Sequence, residues 1–157
     1  MSAAPAEPAA PFVRPAEPSA AAAIAAIGEE LELFEDWMER YQQIIDWGRR
    51  LPEFPAEWED DRHRIEGCQS KVWMQATEAD GALYFAGASD AAIVSGLVAL
   101  MLRVYSGRAP AEILATDPVF LKNLGLIEAL STNRGNGIAA MARAIRAAAQ
   151  ERAGATA

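Results

Sequence analysis

The spacing of apolar residues changes twice along this chain, and the change limits the fold to one that combines helices with a small sheet. Apolar residues recur at helical spacing through residues 24–51. Three short strand-like stretches follow, Arg62–Glu66, Lys71–Thr77 and Ala82–Ala86, and Ala79-Asp80-Gly81 predicts a hairpin turn between the last two. A long apolar helix then extends to about Tyr105. The pattern predicts an α+β fold: a small three-stranded antiparallel sheet packed against N- and C-terminal helices.

Local signals set the expected ends of these elements. Asp36 is a candidate N-cap, and Glu39 three residues later completes a capping-box pattern for the second helix. Pro52 cannot continue that helix. Ser89 is a candidate N-cap for the long apolar helix. The last helix is expected to follow a turn at Ser131–Gly137, which is rich in small polar residues.

Composition divides the chain into a domain and two short ends. Residues 1–26 contain twelve Ala and five Pro. The Pro-bearing part has few large apolar groups to offset the entropy of ordering, so residues 1–19 are predicted to be a disordered tail. Residues 20–152 are predicted to form a single domain, and residues 153–157 a flexible C-terminus.

Charge excludes several classes of partner. The net charge is −8, and it divides into −10 for residues 1–61 and +2 for residues 62–157. Such acidity argues against a nucleic-acid or anionic-membrane surface. The most apolar stretch, Ala91–Leu102, is shorter than the roughly 18 residues that a membrane span requires. We therefore expect neither nucleic acid nor membrane among the partners.

The chain has one cysteine, Cys68, and this limits its chemistry. One cysteine excludes an intramolecular disulfide, which favours a reducing, cytoplasmic setting. It also excludes a Cys-rich zinc site or an iron–sulfur cluster held by one chain. Gly67, Gln69 and Ser70 favour a turn between two strand-like stretches, so the thiol is a candidate for presentation to a partner. A small buried hydrophobe remains the alternative, because free cysteine is often buried.

Four segments together resemble one family. The run Gly67-Cys68-Gln69-Ser70-Lys71-Val72-Trp73 is similar to the hallmark loop of the SufE sulfur acceptors. Three further segments resemble parts of that family in the same order: Tyr41–Pro52, Ser89–Leu97 and Leu130–Gly137. The resemblance spans about residues 30–150, which is far more specific than one heptapeptide.

The resemblance implies a persulfide relay without independent enzyme turnover. Cys68 would accept sulfur from a SufS-like or CsdA-like cysteine desulfurase, stimulate that enzyme, and deliver the sulfur to a SufBCD-like iron–sulfur scaffold. Pyridoxal phosphate (PLP) would belong to the desulfurase, so no cofactor and no metal are expected in this chain. Asp90 matches a family position that affects coupling to the desulfurase, and Arg134 matches an arginine near the loop. A monomer or a homodimer is expected.

Three alternatives stay open. The chain could be a CsdE-type acceptor that serves a different desulfurase and sulfur pathway. It could instead be a free-standing Cys-dependent enzyme, for which His63 is the one candidate base. A scaffold role, implied by the fold that SufE proteins share with the IscU family, is disfavoured because one Cys and one His cannot hold a cluster in a monomer. His63 and Lys71 depart from the commonest family pattern.

Overall fold

The computed structural model describes residues 8–67, 70–126 and 132–155 as an α+β arrangement. In chain order the elements are α1 (Ala20–Glu32), α2 (Trp37–Arg49), a 3-10 turn (Ala56–Trp58), β1 (Val72–Ala79), β2 (Ala82–Ser89), α3 (Ala92–Tyr105), α4 (Pro110–Ala115), α5 (Phe120–Asn123) and α6 (Thr132–Ala155). The α+β class predicted from the sequence is confirmed.

The sheet in the described residues is a two-stranded hairpin. β1 and β2 pair antiparallel, with Val72 opposite Ser89 and Ala79 opposite Ala82. Asp80 (φ 50°) and Gly81 (φ 79°) form the turn, and two positive φ values are the signature of a type I′ hairpin. The hairpin turn predicted at residues 79–81 is confirmed.

The prediction of a third strand at Arg62–Glu66 is wrong. This segment is reduced to one bridge, Arg64 opposite Trp73. The Ile65 N–H donates to the Val72 carbonyl at 2.8 Å, and the Met74 N–H donates to the His63 carbonyl at 2.9 Å. A turn ends at residue 63 and the chain turns away again at Gly67, so only three residues can pair with β1. We call residues 63–65 the bridge arm.

Two of the four predicted helix signals are confirmed and two are wrong. The Asp36 carboxylate accepts from the Glu39 N–H at 2.9 Å, and α2 ends before Pro52. The N-cap of α3 is Ala91 rather than Ser89, whose hydroxyl accepts from the Ala91 N–H at 3.3 Å. The last helix already begins at Thr132, so the turn predicted at residues 131–137 is absent over 132–137. Long α6 overrides the weak helix propensity of this stretch.

α3 lies at the centre of the core. It contacts α2 on one side and β2 on the other, and Val98, Met101 and Leu102 are fully buried. A Cβ on Gly96 would overlap the Ile44 carbonyl, so the backbones of α2 and α3 meet directly. This close approach fixes the position of the N-terminal end of α3, which lies next to the connection between the bridge arm and β1.

Residues 8–19, which we call the N-terminal segment, contact the helical core and the edge of β2 that faces away from β1. The Val13 N–H donates to the Phe85 carbonyl at 2.8 Å, and the Ser106 hydroxyl donates to the Val13 carbonyl at 2.6 Å. The Glu17 carboxylate binds Arg103 at 2.7 Å. Residues 1–7 lie outside the described part of the structure. The division into residues 1–19, 20–152 and 153–157 stays a prediction.

None of the helices described here is both long enough and apolar enough to cross a bilayer.

Candidate functional site

The loop that carries Cys68 joins the bridge arm to β1. Cys68 and Gln69 themselves lie outside the described residues, so the structure defines the site through their neighbours. The hydrogen bond from the Ile65 N–H to the Val72 carbonyl closes the loop at its base. Residues 66–71 therefore form a short connection whose two ends are held together.

Gly67 sets the direction in which the loop leaves its first arm. Its φ is +93°, a backbone conformation that glycine adopts without steric cost. A Cβ built on Gly67 would lie 3.4 Å from the Ala140 Cβ and 4.0 Å from Arg143 Nη2, both on α6. The residue directly before Cys68 thus passes over the surface of α6.

Asp90 and Ser89 hold the other end of the loop. The Lys71 N–H donates to Asp90 Oδ1 at 3.0 Å, and the Asp90 N–H donates back to the Lys71 carbonyl at 3.2 Å. The Ser89 hydroxyl also donates to the Lys71 carbonyl, at 2.8 Å. Asp90, which was predicted as a site residue, therefore contacts the loop at Lys71, the residue that directly follows half-buried Ser70.

His63 is held by hydrogen bonds on both ring nitrogens. Its Nδ1 lies 2.7 Å from Asp60 Oδ1, and its Nε2 lies 3.1 Å from Gln75 Nε2. Because the Gln75 amide is a donor there, Nε2 accepts and Nδ1 carries the proton. The hydrogen bond from His63 lowers the pKa of Asp60 below its usual value. The ring also stacks on Trp58 at 6.0 Å, so His63 braces the bridge arm.

Mixed charges surround the described part of the loop. A cavity of about 520 Å³ is lined by Asp61, Arg64, Ile65, Glu66 and Gly67. Arg143 adds a cation next to Gly67. Sequence reasoning missed Arg143, because the family resemblance pointed to Arg134, nine residues earlier, as the arginine near the loop. Arg143 lies three residues after Ala140, which puts both on one face of α6.

Arg134 lies in the first turn of α6, and its side chain is outside the described part. It precedes Ala140 by six residues, or about 9 Å along the helix axis. Its predicted place near the loop stays a prediction. Among the described residues, no group of three His, Cys, Asp or Glu side chains is arranged to hold a metal ion.

Comparisons with known proteins identify the family of this chain and support its fold. The family described as "SufE: Fe-S metabolism associated domain" matches residues 25–149. The chain belongs to the SufE family. An uncharacterized SufE-like protein of Rhizobium meliloti (strain 1021) is 38% identical over 130 residues, which cover 79% of this chain and 92% of that protein. An uncharacterized SufE-like protein of Rhizobium etli is 40% identical over 134 residues, covering 81% and 89%.

A solved structure shares the fold of this SufE family member. The solution structure of a hypothetical protein from Thermus thermophilus superposes with a TM-score of 0.69 at 20% identity, covering 82% of this chain and 94% of the other. The family match covers every described residue of the loop, from the bridge arm to Asp90. The resemblance stated from the sequence is confirmed, and it places the chain in iron–sulfur metabolism as a sulfur-transfer accessory protein.

Proposed function

We propose that this SufE family protein is a persulfide carrier that takes sulfur from a PLP-dependent cysteine desulfurase onto Cys68. It stimulates the desulfurase by removing its sulfur, and it passes the sulfur to an iron–sulfur assembly scaffold. The observation that carries the proposal is the loop itself: the family's Gly67–Trp73 segment joins two fixed ends, with the only cysteine between them.

The transfer is a thiol–disulfide-type exchange with no net oxidation. The Cys68 thiolate attacks the outer sulfur of the desulfurase persulfide and forms a new S–S bond with it. The S–S bond within the desulfurase persulfide breaks, and the desulfurase cysteine leaves as a thiolate that takes up a proton. A scaffold cysteine then attacks the same outer sulfur, and Cys68 returns to its thiolate.

The loop's construction suits this exchange. A carrier thiol must reach two different proteins in turn, so it needs a projecting connection rather than a place within a strand. Ile65–Val72 and Asp90–Lys71 hydrogen bonds fix the two ends. Arg143 and Arg64 provide nearby positive charge that favours a thiolate, whereas Glu66 and Asp61 oppose it.

The proposal assigns no cofactor to this chain, since PLP belongs to the desulfurase. Its partners are the desulfurase and the scaffold, with no role for nucleic acid or a membrane surface. We place the exchange in the cytoplasm, where thiols stay reduced. A pull-down with SufS-like and CsdA-like desulfurases distinguishes a SufE-type from a CsdE-type acceptor by the enzyme retained.

A free-standing Cys-dependent enzyme is disfavoured by the geometry of His63. A general base needs a ring nitrogen that can reach the thiol. The two ring nitrogens of His63 already have partners: Nδ1 lies within hydrogen-bond distance of Asp60, and Nε2 lies within hydrogen-bond distance of Gln75.

Desulfurase kinetics test the proposal. Wild-type protein should increase the rate of sulfide or alanine release from cysteine, and Cys68→Ser should abolish the increase. Circular dichroism of Cys68→Ser controls for folding. Equal stimulation by both proteins would overturn the relay, because stimulation would then not need the thiol.

A further inference from the structure

A second cavity lies away from the loop, between the N-terminal segment and the helical core. Its volume is about 180 Å³. Its walls are apolar: Val13 and Ala16 from the N-terminal segment, Trp47 and Leu51 at the end of α2, and Ala99 and Leu100 on α3. Neither the relay chemistry nor the family description uses this cavity.

The charged groups that line the cavity in the described part of the chain are all cations. Arg14, Arg50 and Arg103 contribute to this lining, and no described carboxylate does. The Arg103 guanidinium adds no net positive charge, because it binds two carboxylates, Glu17 and Glu30, at 2.7 Å each. Arg50 is exposed and, within the described residues, makes no ion pair. In a chain of net charge −8, this is a local site that favours an anion.

The volume limits the size of an occupant. An apolar cavity of about 150 Å³ holds one benzene molecule, so 180 Å³ fits a body of about six carbon atoms. Apolar walls with one or two placed charges are the usual construction of a small-molecule site. The cavity is too small for a nucleotide or a long acyl chain.

From these observations we infer that the cavity binds a small monocarboxylate with a compact aromatic or branched apolar body. The body packs between Trp47 and Ala99, and the carboxylate faces the Arg50 guanidinium at the rim. The N-terminal segment provides one wall, so an occupant also contacts Val13 and Ala16. This site is independent of sulfur transfer at Cys68.

An NMR titration of the full chain with three ligands of similar shape tests the inference: benzoate, benzyl alcohol and benzylamine. Benzoate should shift the Trp47 indole N–H and the Ala99 and Val13 amides. It should bind about fivefold more tightly than benzyl alcohol, because an exposed charge pair adds about that much. Benzylamine should bind more weakly than both.

Amino-acid substitutions distinguish binding in the cavity from general attraction of a carboxylate to positive charges on the surface. Arg50→Gln should remove the preference for benzoate over benzyl alcohol, whereas the matched control Arg49→Gln should keep it, since Arg49 pairs with Asp46 and does not line the cavity. Ala16→Leu should fill the cavity from the exposed segment and weaken all three ligands without disturbing the core. Shifts outside the cavity residues, no shifts at all, or equal binding of the three ligands would overturn the inference.

Discussion

At the scale of single residues, Gly67 determines the path of the loop before Cys68. Its φ of +93° lies in the region that residues with a Cβ adopt only with strain. A Cβ at this position would make an ordinary 3.4 Å contact with the Ala140 Cβ, so crowding by α6 is not the constraint. Glycine is favoured here by its positive φ.

Gly67→Ala should lower the free energy of unfolding by about 1–2 kcal/mol and slow sulfur transfer to Cys68. Urea unfolding and single-turnover transfer measure the two effects. Gly81→Ala is the matched control, because Gly81 also has a positive φ but lies in the open hairpin turn. Equal transfer rates in the two variants would show that the path at residue 67 has no effect on the thiol.

Tyr105 provides a prediction about pH. It is fully buried, its hydroxyl donates to the Thr116 carbonyl at 2.8 Å, and burial raises its pKa to about 12. The unfolded phenol ionises near pH 10, before the folded one. Its contribution to stability is therefore complete below pH 10 and is lost as the pH rises from 10 to about 12.

Tyr105→Phe should reduce the fall in stability between pH 10 and 12, and should lower stability at pH 7 by about 1 kcal/mol through the lost hydrogen bond. Urea denaturation at several pH values measures both. An unchanged alkaline slope in Tyr105→Phe would mean that the phenol is not the group responsible.

At the scale of elements, the contact between α2 and α3 leaves no room for a side chain at Gly48 or Gly96. Gly48 and Gly96 face each other, and a Cβ on either would overlap backbone atoms of the other helix. Backbone atoms cannot rotate away as a side chain does, so relief would require the helices to separate. The N-terminal end of α3, which holds Asp90 at the loop, would move with them.

Gly96→Ala should destabilise the protein by about 3 kcal/mol, at the upper end of the usual cost of overpacking. Gly28→Ala is its control, because a Cβ on Gly28 in α1 would make only an ordinary 3.5 Å contact with Leu124. That change should stabilise the protein by about 0.5–1 kcal/mol, the helix-propensity gain of alanine. Thermal unfolding compares the two, and a similar loss in both would rule out the backbone overlap as the cause.

Local signals predicted some elements well and others poorly. The Asp36 cap and the turn at residues 79–81 depend on neighbours in the chain, so the sequence was sufficient for both. Whether residues 62–66 form a strand depends on how many residues of the bridge arm run beside β1. Tertiary packing determines this number, and composition does not encode it. The start of α6 at Thr132 likewise overrides a turn-like sequence.

The candidate site divides in the same way. The family was recognisable from the contiguous segment Gly67–Trp73, whereas the roles of Cys68 and Asp90 stay predictions. Arg143 was not recognisable as a neighbour of the loop, because it lies more than 70 residues further on and meets Gly67 only in the folded chain. The hydrogen bonds on both ring nitrogens of His63 could not be predicted from the sequence, because Asp60 and Gln75 lie beside the ring only in the folded chain.

At the scale of the whole molecule, the N-terminal segment connects distant parts of the fold. Phe12 packs on Trp58 at 5.9 Å, and Trp58 in turn stacks on His63 of the bridge arm. Glu17 binds Arg103 at the other end of the segment, and its carbonyl accepts from buried Arg108 at 2.8 Å. The segment thus braces both the core and the arm that leads to Cys68.

A chain that begins at Ala20 should be less stable than the full chain by about 2–4 kcal/mol, because it lacks these hydrogen bonds and the partly buried ion pair. A chain that begins at Pro8 keeps every contact named here and serves as the control. Thermal unfolding of the three proteins measures the effect. Equal melting temperatures for the full chain and the chain from Ala20 would contradict the bracing role.

Sulfur transfer to Cys68 is the central claim, and mass spectrometry of the intact protein tests it most directly. After incubation with a cysteine desulfurase and cysteine, without reductant, the wild-type protein should gain the mass of one sulfur atom. A thiol reductant should remove it, and Cys68→Ser should gain none. An unmodified wild-type protein, under conditions in which the desulfurase itself carries persulfide, would contradict the account.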